Sequence, residues 1–276
     1  MPPMDIVPIT TPDGLELHLI YEPPAQPDGL VLLATHGVDA NFAMPPYLPL
    51  GRRLLKATGL GYAILNNRGH DRINRIRGRL LGSAYETFED SALDLTAAAD
   101  WLAERGHRRL VLSGHSLGAL KVTYAQVHVP HPNVIALAPL SGPCLVEEHD
   151  PTEIDAWLAH ARDLLAAGKG QDLMWARPPA DRPGSTAPFS AATYLNKYAD
   201  GANSRILQYV DRVRVPCLFL AGEREPRFAQ HARDLHAACQ APSMLRIIPG
   251  ATHYYPENEP AVAEAFLERL STLPST

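Results

Sequence analysis

The pentapeptide Gly114-His115-Ser116-Leu117-Gly118 constrains the fold of this chain more than any other stretch. The apolar run Leu110-Val111-Leu112 precedes it and Ala119-Leu120-Lys121-Val122 follows, so the segment reads as strand, tight turn and helix. A G-x-S-x-G pattern in that setting holds a serine clear of a sheet on a turn too sharp for side chains at its flanks, and glycine supplies their absence. The helix starting near Leu117 aims unpaired N–H groups and a partial positive charge at the serine, where an oxyanion would form during acyl transfer. Ser116 is therefore the expected nucleophile. A chance loop carrying a solvated serine is the competing reading, and the flanking strand and helix count against it.

Around this elbow, strand-like and helix-like segments alternate. Leu15 to Tyr21 alternates in polarity after the turn Pro12-Asp13-Gly14 and predicts a half-exposed antiparallel strand. Leu30-Val31-Leu32-Leu33-Ala34-Thr35 is continuously apolar, as suits a parallel strand covered on both faces, and it ends at His36-Gly37. Helical spacing predicts helices over 48–58, 85–105, 228–238 and 260–270. Tyr62 to Asn66, Val134 to Ala138, Val215 to Ala221 and Ser243 to Ile248 read as further strands. The economical topology is α/β, a mainly parallel sheet flanked by helices with right-handed crossovers. The rhythm breaks over 145–205, where Trp157, a proline-rich stretch and Tyr194 and Tyr198 stand, with a final helix expected toward Tyr209. We read 1–144 and 206–276 as the core and 145–205 as a helical cap inserted at the carboxyl end of the sheet.

A serine hydroxyl needs a base of near-neutral pKa, and that base needs an anion to fix its tautomer. The chain offers both in the order serine, acid, histidine, each on a loop after a strand. His253, in Ala251-Thr252-His253, is the expected base and Glu225, in Gly222-Glu223-Arg224-Glu225, the expected acid. Glu223, Glu147 and Asp150 stay open as alternative acids. The N–H groups of Val38, after His36-Gly37, and of Leu117 are the expected oxyanion donors. His36 reads as a loop-holding histidine, and His115 as a structural histidine pointing away from the serine. Arg68 and Asp71 read as structural ion-pair or loop-bonding residues, and Arg72, Arg75, Arg77 and Arg79 as a solvated basic loop.

Formal net charge is −5, which offers no basic surplus for nucleic acid or an anionic membrane. Cys144, Cys217 and Cys239 lack the paired spacing of a disulfide framework or a zinc site, so neither metal nor cofactor is expected. The amino terminus lacks a basic-then-apolar secretion signal, and no run has the length of a membrane span; a cytoplasmic location is the expectation. A homodimer is left open.

Taken with His36-Gly37 and Asn67-Arg68-Gly69-His70, these motifs resemble the α/β-hydrolase superfamily along nearly the whole chain. Asn66 to Asp71, Gly82-Ser83-Ala84-Tyr85-Glu86 and Gly114 to Val122 also resemble a little-characterised branch that includes fungal siderophore ester hydrolases. The resemblance implies a serine hydrolase acting on a small-molecule carboxylic ester, lactone or thioester through an acyl-enzyme on Ser116. It departs from the superfamily in carrying Glu225 where aspartate is usual. Acyl transfer or cyclisation from the same acyl-enzyme, and a non-catalytic binding protein on this fold, are the competing functions. Dehalogenase and epoxide hydrolase chemistry on this fold uses a carboxylate nucleophile, where this chain has Ser116.

Overall fold

The apolar runs assemble into one eight-stranded sheet in a computed structural model that describes residues 5–26, 29–145, 151–178 and 185–273. In chain order the elements begin with β1 (Asp5–Thr10), β2 (Glu16–Glu22), β3 (Val31–Thr35), α1 (Tyr47–Thr58) and β4 (Gly61–Asn66). A small hairpin of β5 (Asn74–Ile76) and β6 (Arg79–Leu81) follows, then α2 (Ser91–Glu104), β7 (Leu110–His115), α3 (Leu117–His128) and β8 (Val134–Leu140). Between β8 and β11 stand α4 (Pro151–Ala166), β9 (Leu173–Ala176), β10 (Ala187–Ser190) and α5 (Ala191–Tyr198). The chain closes with β11 (Cys217–Gly222), α6 (Pro226–Ala238), β12 (Ser243–Ile248) and α7 (Glu259–Ser271).

Strand order is β1-β2-β4-β3-β7-β8-β11-β12. The pairs from β4 through β12 are parallel, whereas β2 pairs antiparallel with both β1 and β4. From β3 the chain steps to β4 on one side, then crosses to β7 on the other. The reversal opens a crevice at the carboxyl ends of β3 and β7, where open α/β sheets bind ligands. Both Gly37 and Ser116 lie just past those strand ends.

Side-chain alternation divides the core into two layers. Leu33, Leu65, Leu112, Leu137 and Phe219 face α2, α3 and α6. Leu32, Ile64, Val111, Ala138 and Leu220 face α1 and α7, packing with Leu54, Val262 and Phe266. Burial on both sheet faces is why these strands lack polar alternation. α1 stops where Gly59 enters the left-handed region at φ 69° and its N–H bonds to the Leu55 carbonyl, 2.8 Å away.

Three expectations need correction. The helix expected over 85–105 starts at Ser91, because residues 85–90 are drawn into turns that send Glu86 inward. The segment between β8 and β11 is not wholly helical: it includes the antiparallel pair β9–β10, and two 3₁₀ turns, Ile206–Gln208 and Val210–Arg212, replace the helix expected toward Tyr209. The basic stretch around Arg75 is the β5–β6 hairpin, with Arg72 paired to Asp39 and Arg79 to Asp13. An edge strand that sequence analysis did not assign, β1, pairs with β2.

Two buried ion clusters knit the layers together. Arg68 is enclosed and pairs with Asp94 at 2.7 Å, Asp13 at 3.0 Å and Asp90 at 3.1 Å, the structural role expected of it. Glu86 lies wholly inside between two lysines, Lys121 of α3 at 2.5 Å and Lys197 of α5 at 2.6 Å. Lys121 also donates to Asn67 Oδ1, and Lys197 to the Ser83 carbonyl. The helix behind Ser116 and the last helix before β11 therefore share one buried carboxylate.

Candidate active site

β7 runs directly into Ser116, whose backbone sits at φ 57° and ψ −127°, a conformation that costs a non-glycine residue about 1–3 kcal/mol. Surrounding contacts hold it there: its N–H donates to the Leu140 carbonyl at 2.9 Å, and its carbonyl accepts from Ala119 N–H at 2.9 Å. A Cβ on Gly114 would overlap the Gly118 carbonyl, and one on Gly118 would stand 2.6 Å from the His36 carbonyl oxygen. Strand, helix and the β3 loop thus converge too closely for side chains at either flank. The elbow follows from the pentapeptide as the sequence suggested.

Glu225 follows β11 and immediately precedes α6, and it is nearly enclosed. Its Oε1 accepts from Gly222 N–H at 2.7 Å and from the Ser141 hydroxyl, while Oε2 lies 2.7 Å from His253 Nδ1. With Nδ1–H donating to this carboxylate, Nε2 is the nitrogen left for other chemistry. Glu223 is exposed and accepts instead from Gly250 N–H at 2.8 Å, bracing the loop that leads to His253. Glu147 and Asp150 lie outside the described residues.

Ser116, His253 and Glu225 line one cavity of about 590 Å³, together with Gly37, Val38 and Leu117. Ser116 Oγ and His253 share the cavity, and no hydrogen bond joins Oγ to His253 or to any other described residue. Such contacts commonly tighten only when substrate is bound. The N–H groups of Val38 and Leu117 donate to no described residue, and Leu117 is the first residue of α3, at its positive end. His36 is buried and fully engaged, donating from Nδ1 to the Gly37 carbonyl at 2.9 Å and accepting at Nε2 from Asn67 N–H at 3.2 Å. Burial first, then the Lys121 charge, pushes its pKa down to about 3, so it serves as a neutral strut. Among the described residues, no group of three His, Cys, Asp or Glu side chains is arranged to hold a metal ion. Nor is any described helix long and apolar enough to cross a membrane.

The model of the alpha/beta hydrolase family matches residues 30–265, which span β3, the elbow, Glu225 and His253. The chain belongs to the alpha/beta hydrolase family. A search of curated protein sequences returns no match. Among solved structures, the complex of DcsB with its substrate analogue superposes with a TM-score of 0.76 at 16% identity, covering 99% of this chain and 100% of that one. The alpha/beta hydrolase GrgF from Penicillium sp. sh18 gives 0.73 at 18% identity, covering 98% of each chain. Est1E from Butyrivibrio proteoclasticus gives 0.65 at 19% identity, covering 97% of this chain and 99% of that one. At such identities the likeness is one of fold.

Several residues that support this hydrolase site escaped the sequence reading. His115 is a buried structural histidine, as expected, but its contacts reach the base: its ring lies 4.5 Å from that of His253, centroid to centroid, and its Nε2–H donates to the His253 carbonyl at 2.6 Å. Its Nδ1 accepts from the Tyr47 hydroxyl at 3.3 Å, and that hydroxyl accepts in turn from Gly37 N–H at 3.0 Å. Burial, then the neighbouring His253, holds His115 well below its ordinary pKa, which keeps this tautomer neutral. One relay of hydrogen bonds therefore joins the Gly37 loop to the His253 loop. Ser141, at φ 44°, bridges Glu225 and the buried Tyr255 hydroxyl. A polar residue just past a parallel strand was the available signal for Ser141; nothing local in the sequence marks Tyr47.

Proposed function

We propose that this hydrolase cleaves a carboxylic ester of a small molecule through an acyl-enzyme on Ser116. The observation that carries the reading is the Glu225–His253 hydrogen bond, 2.7 Å long, at the wall of the cavity that Ser116 also lines. His253 Nε2 takes the Ser116 proton as Oγ attacks the ester carbonyl, and Glu225 stabilises the imidazolium that results. The N–H groups of Val38 and Leu117 receive the negative charge that develops on the carbonyl oxygen. Each such donor is worth roughly 10²–10³ in kcat. His253 then protonates the departing alkoxide, and water, activated by the same imidazole, releases the acid and restores Ser116. Described residues of the cap segment close the site: Leu145, Pro178 and Tyr198 line the cavity and supply apolar walls for the substrate.

A fluorophosphonate probe tests the nucleophile. Labelling of the native protein and its loss in Ser116→Ala support the proposal, whereas equal labelling of both refutes it. Turnover of p-nitrophenyl butyrate, with products followed in the presence and absence of an added alcohol, separates hydrolysis from acyl transfer. Stoichiometric butyrate irrespective of the alcohol is the expected result.

A further inference from the structure

The cavity wall beside Glu225 carries a charge that the hydrolytic mechanism does not use. Arg224 lines the cavity together with Ser116 and His253. Its backbone is fixed, with the N–H donating to the Ala251 carbonyl at 2.9 Å, so the loops bearing Glu225 and His253 are stitched together at this residue. The side chain is exposed, and no ion pair or hydrogen bond joins it to another side chain among the described residues. The neighbouring carboxylates are committed elsewhere: Glu223 to Gly250 N–H, and Glu225 to His253, Ser141 and Gly222. Glu225 is also the only carboxylate among the described residues that line the cavity, while Arg224 is joined there by Arg227. The remaining wall is largely apolar, with Val38, Leu117, Pro143, Leu145 and Phe228.

We propose that the substrate is an apolar ester carrying a carboxylate, and that Arg224 is the residue selecting for it. This rests on the ester-hydrolase reading of the same cavity. A guanidinium matches a planar carboxylate with two parallel N–H donors, which gives the pairing directional selectivity even at a solvent-accessible wall. A neutral ester would gain nothing from the cation, and an ammonium-bearing ester would meet it as a like charge. Arg224 thus sets specificity by charge while Ser116, His253 and Glu225 perform the chemistry.

The test compares p-nitrophenyl hemisuccinate with p-nitrophenyl butyrate, esters of equal acyl length that differ by a terminal carboxylate. The readout is the ratio of their kcat/KM values in the native protein, Arg224→Gln and Arg224→Lys. The ratio is expected to fall about five- to tenfold in Arg224→Gln, mainly through KM, and to be retained in large part by Arg224→Lys. An unchanged ratio in Arg224→Gln overturns the proposal. A binding measurement keeps this distinct from the hydrolytic reading: 4-phenylbutyrate is titrated calorimetrically into Ser116→Ala with and without Arg224→Gln. A Kd about fivefold weaker without Arg224 supports the anion site even if neither ester is hydrolysed, and an unchanged Kd overturns it. Loss of turnover with a retained Arg224-dependent Kd refutes the hydrolase reading alone.

Discussion

Removing the charge of Glu86 is the most informative perturbation of the scaffold behind the site. Its carboxylate is wholly buried and flanked by Lys121 at 2.5 Å and Lys197 at 2.6 Å, so Glu86→Gln strips two enclosed ammonium groups of the carboxylate that pairs them. Breaking a buried pair by removing one partner costs about 3–5 kcal/mol. The titration of Glu86 gives an independent scale. Burial alone would raise its pKa, but Lys121 and Lys197 overcome that and hold it down to about 2 against an ordinary 4.5. A folded-state pKa depressed by that much corresponds to about 3 kcal/mol. The sign is that of a lowered carboxylate: the contribution is complete above about pH 4.5 and is lost as pH falls through 2. For a chain of this length, 3–5 kcal/mol lowers Tm by about 5–9 °C.

Differential scanning calorimetry at pH 7, with urea unfolding of Glu86→Gln, Lys197→Met and the double variant, reads the effect. The double variant is expected to be more stable than the sum of the two single losses by more than about 1 kcal/mol, because removing Lys197 relieves the charge stranded by the first change. The stability difference between native protein and Glu86→Gln should shrink as pH drops from 4.5 toward 2. A Glu86→Gln loss below about 0.5 kcal/mol at pH 7, or strict additivity in the double variant, would refute the reasoning.

Other outcomes follow from the site. Glu225→Gln should lower kcat for p-nitrophenyl butyrate by roughly 10³–10⁴, since the amide can present N–H to His253 Nδ1 and favour the wrong tautomer; Glu223→Gln, which touches Gly250 instead, should lower it less than tenfold. Gly114→Ala forces a Cβ into the Gly118 carbonyl and should abolish activity, with a drop in Tm that measures how far the elbow is pushed apart. Tyr47→Phe strips Gly37 N–H and His115 of their shared partner. A stability loss of about 1–3 kcal/mol in urea, together with a kcat decrease larger than any change in KM, is expected because the Gly37 loop is bound to the elbow through this hydroxyl.

The parallel strands were legible because burial on both faces leaves unbroken apolar runs, as in Val31 to Thr35 and Leu110 to Leu112. The elbow that carries Ser116 was legible for a related reason: the turn is local, and Gly114 is required by the Gly118 carbonyl four residues on, although Gly118 answers to the distant His36 carbonyl. The same logic placed Glu225 and His253 on loops after strands and favoured Glu225 as the acid, although it left Glu223 open. They are two residues apart, and only the packing of β11 against β12 and of the Pro249–His253 loop directs one toward His253 and the other toward Gly250.

By itself, then, the sequence determined the sheet, the elbow and the order of the candidate catalytic groups, since each depends on periodicity or on contacts between near neighbours. Tertiary structure alone decided the partners of Glu86, the relay from Gly37 through Tyr47 and His115 to His253, and the place of Arg224 at the cavity wall. Those depend on where residues up to 138 apart in the chain come to rest. Charge and hydrogen-bonding groups look alike in sequence whether they face water or one another. Folding distinguishes them by removing the water.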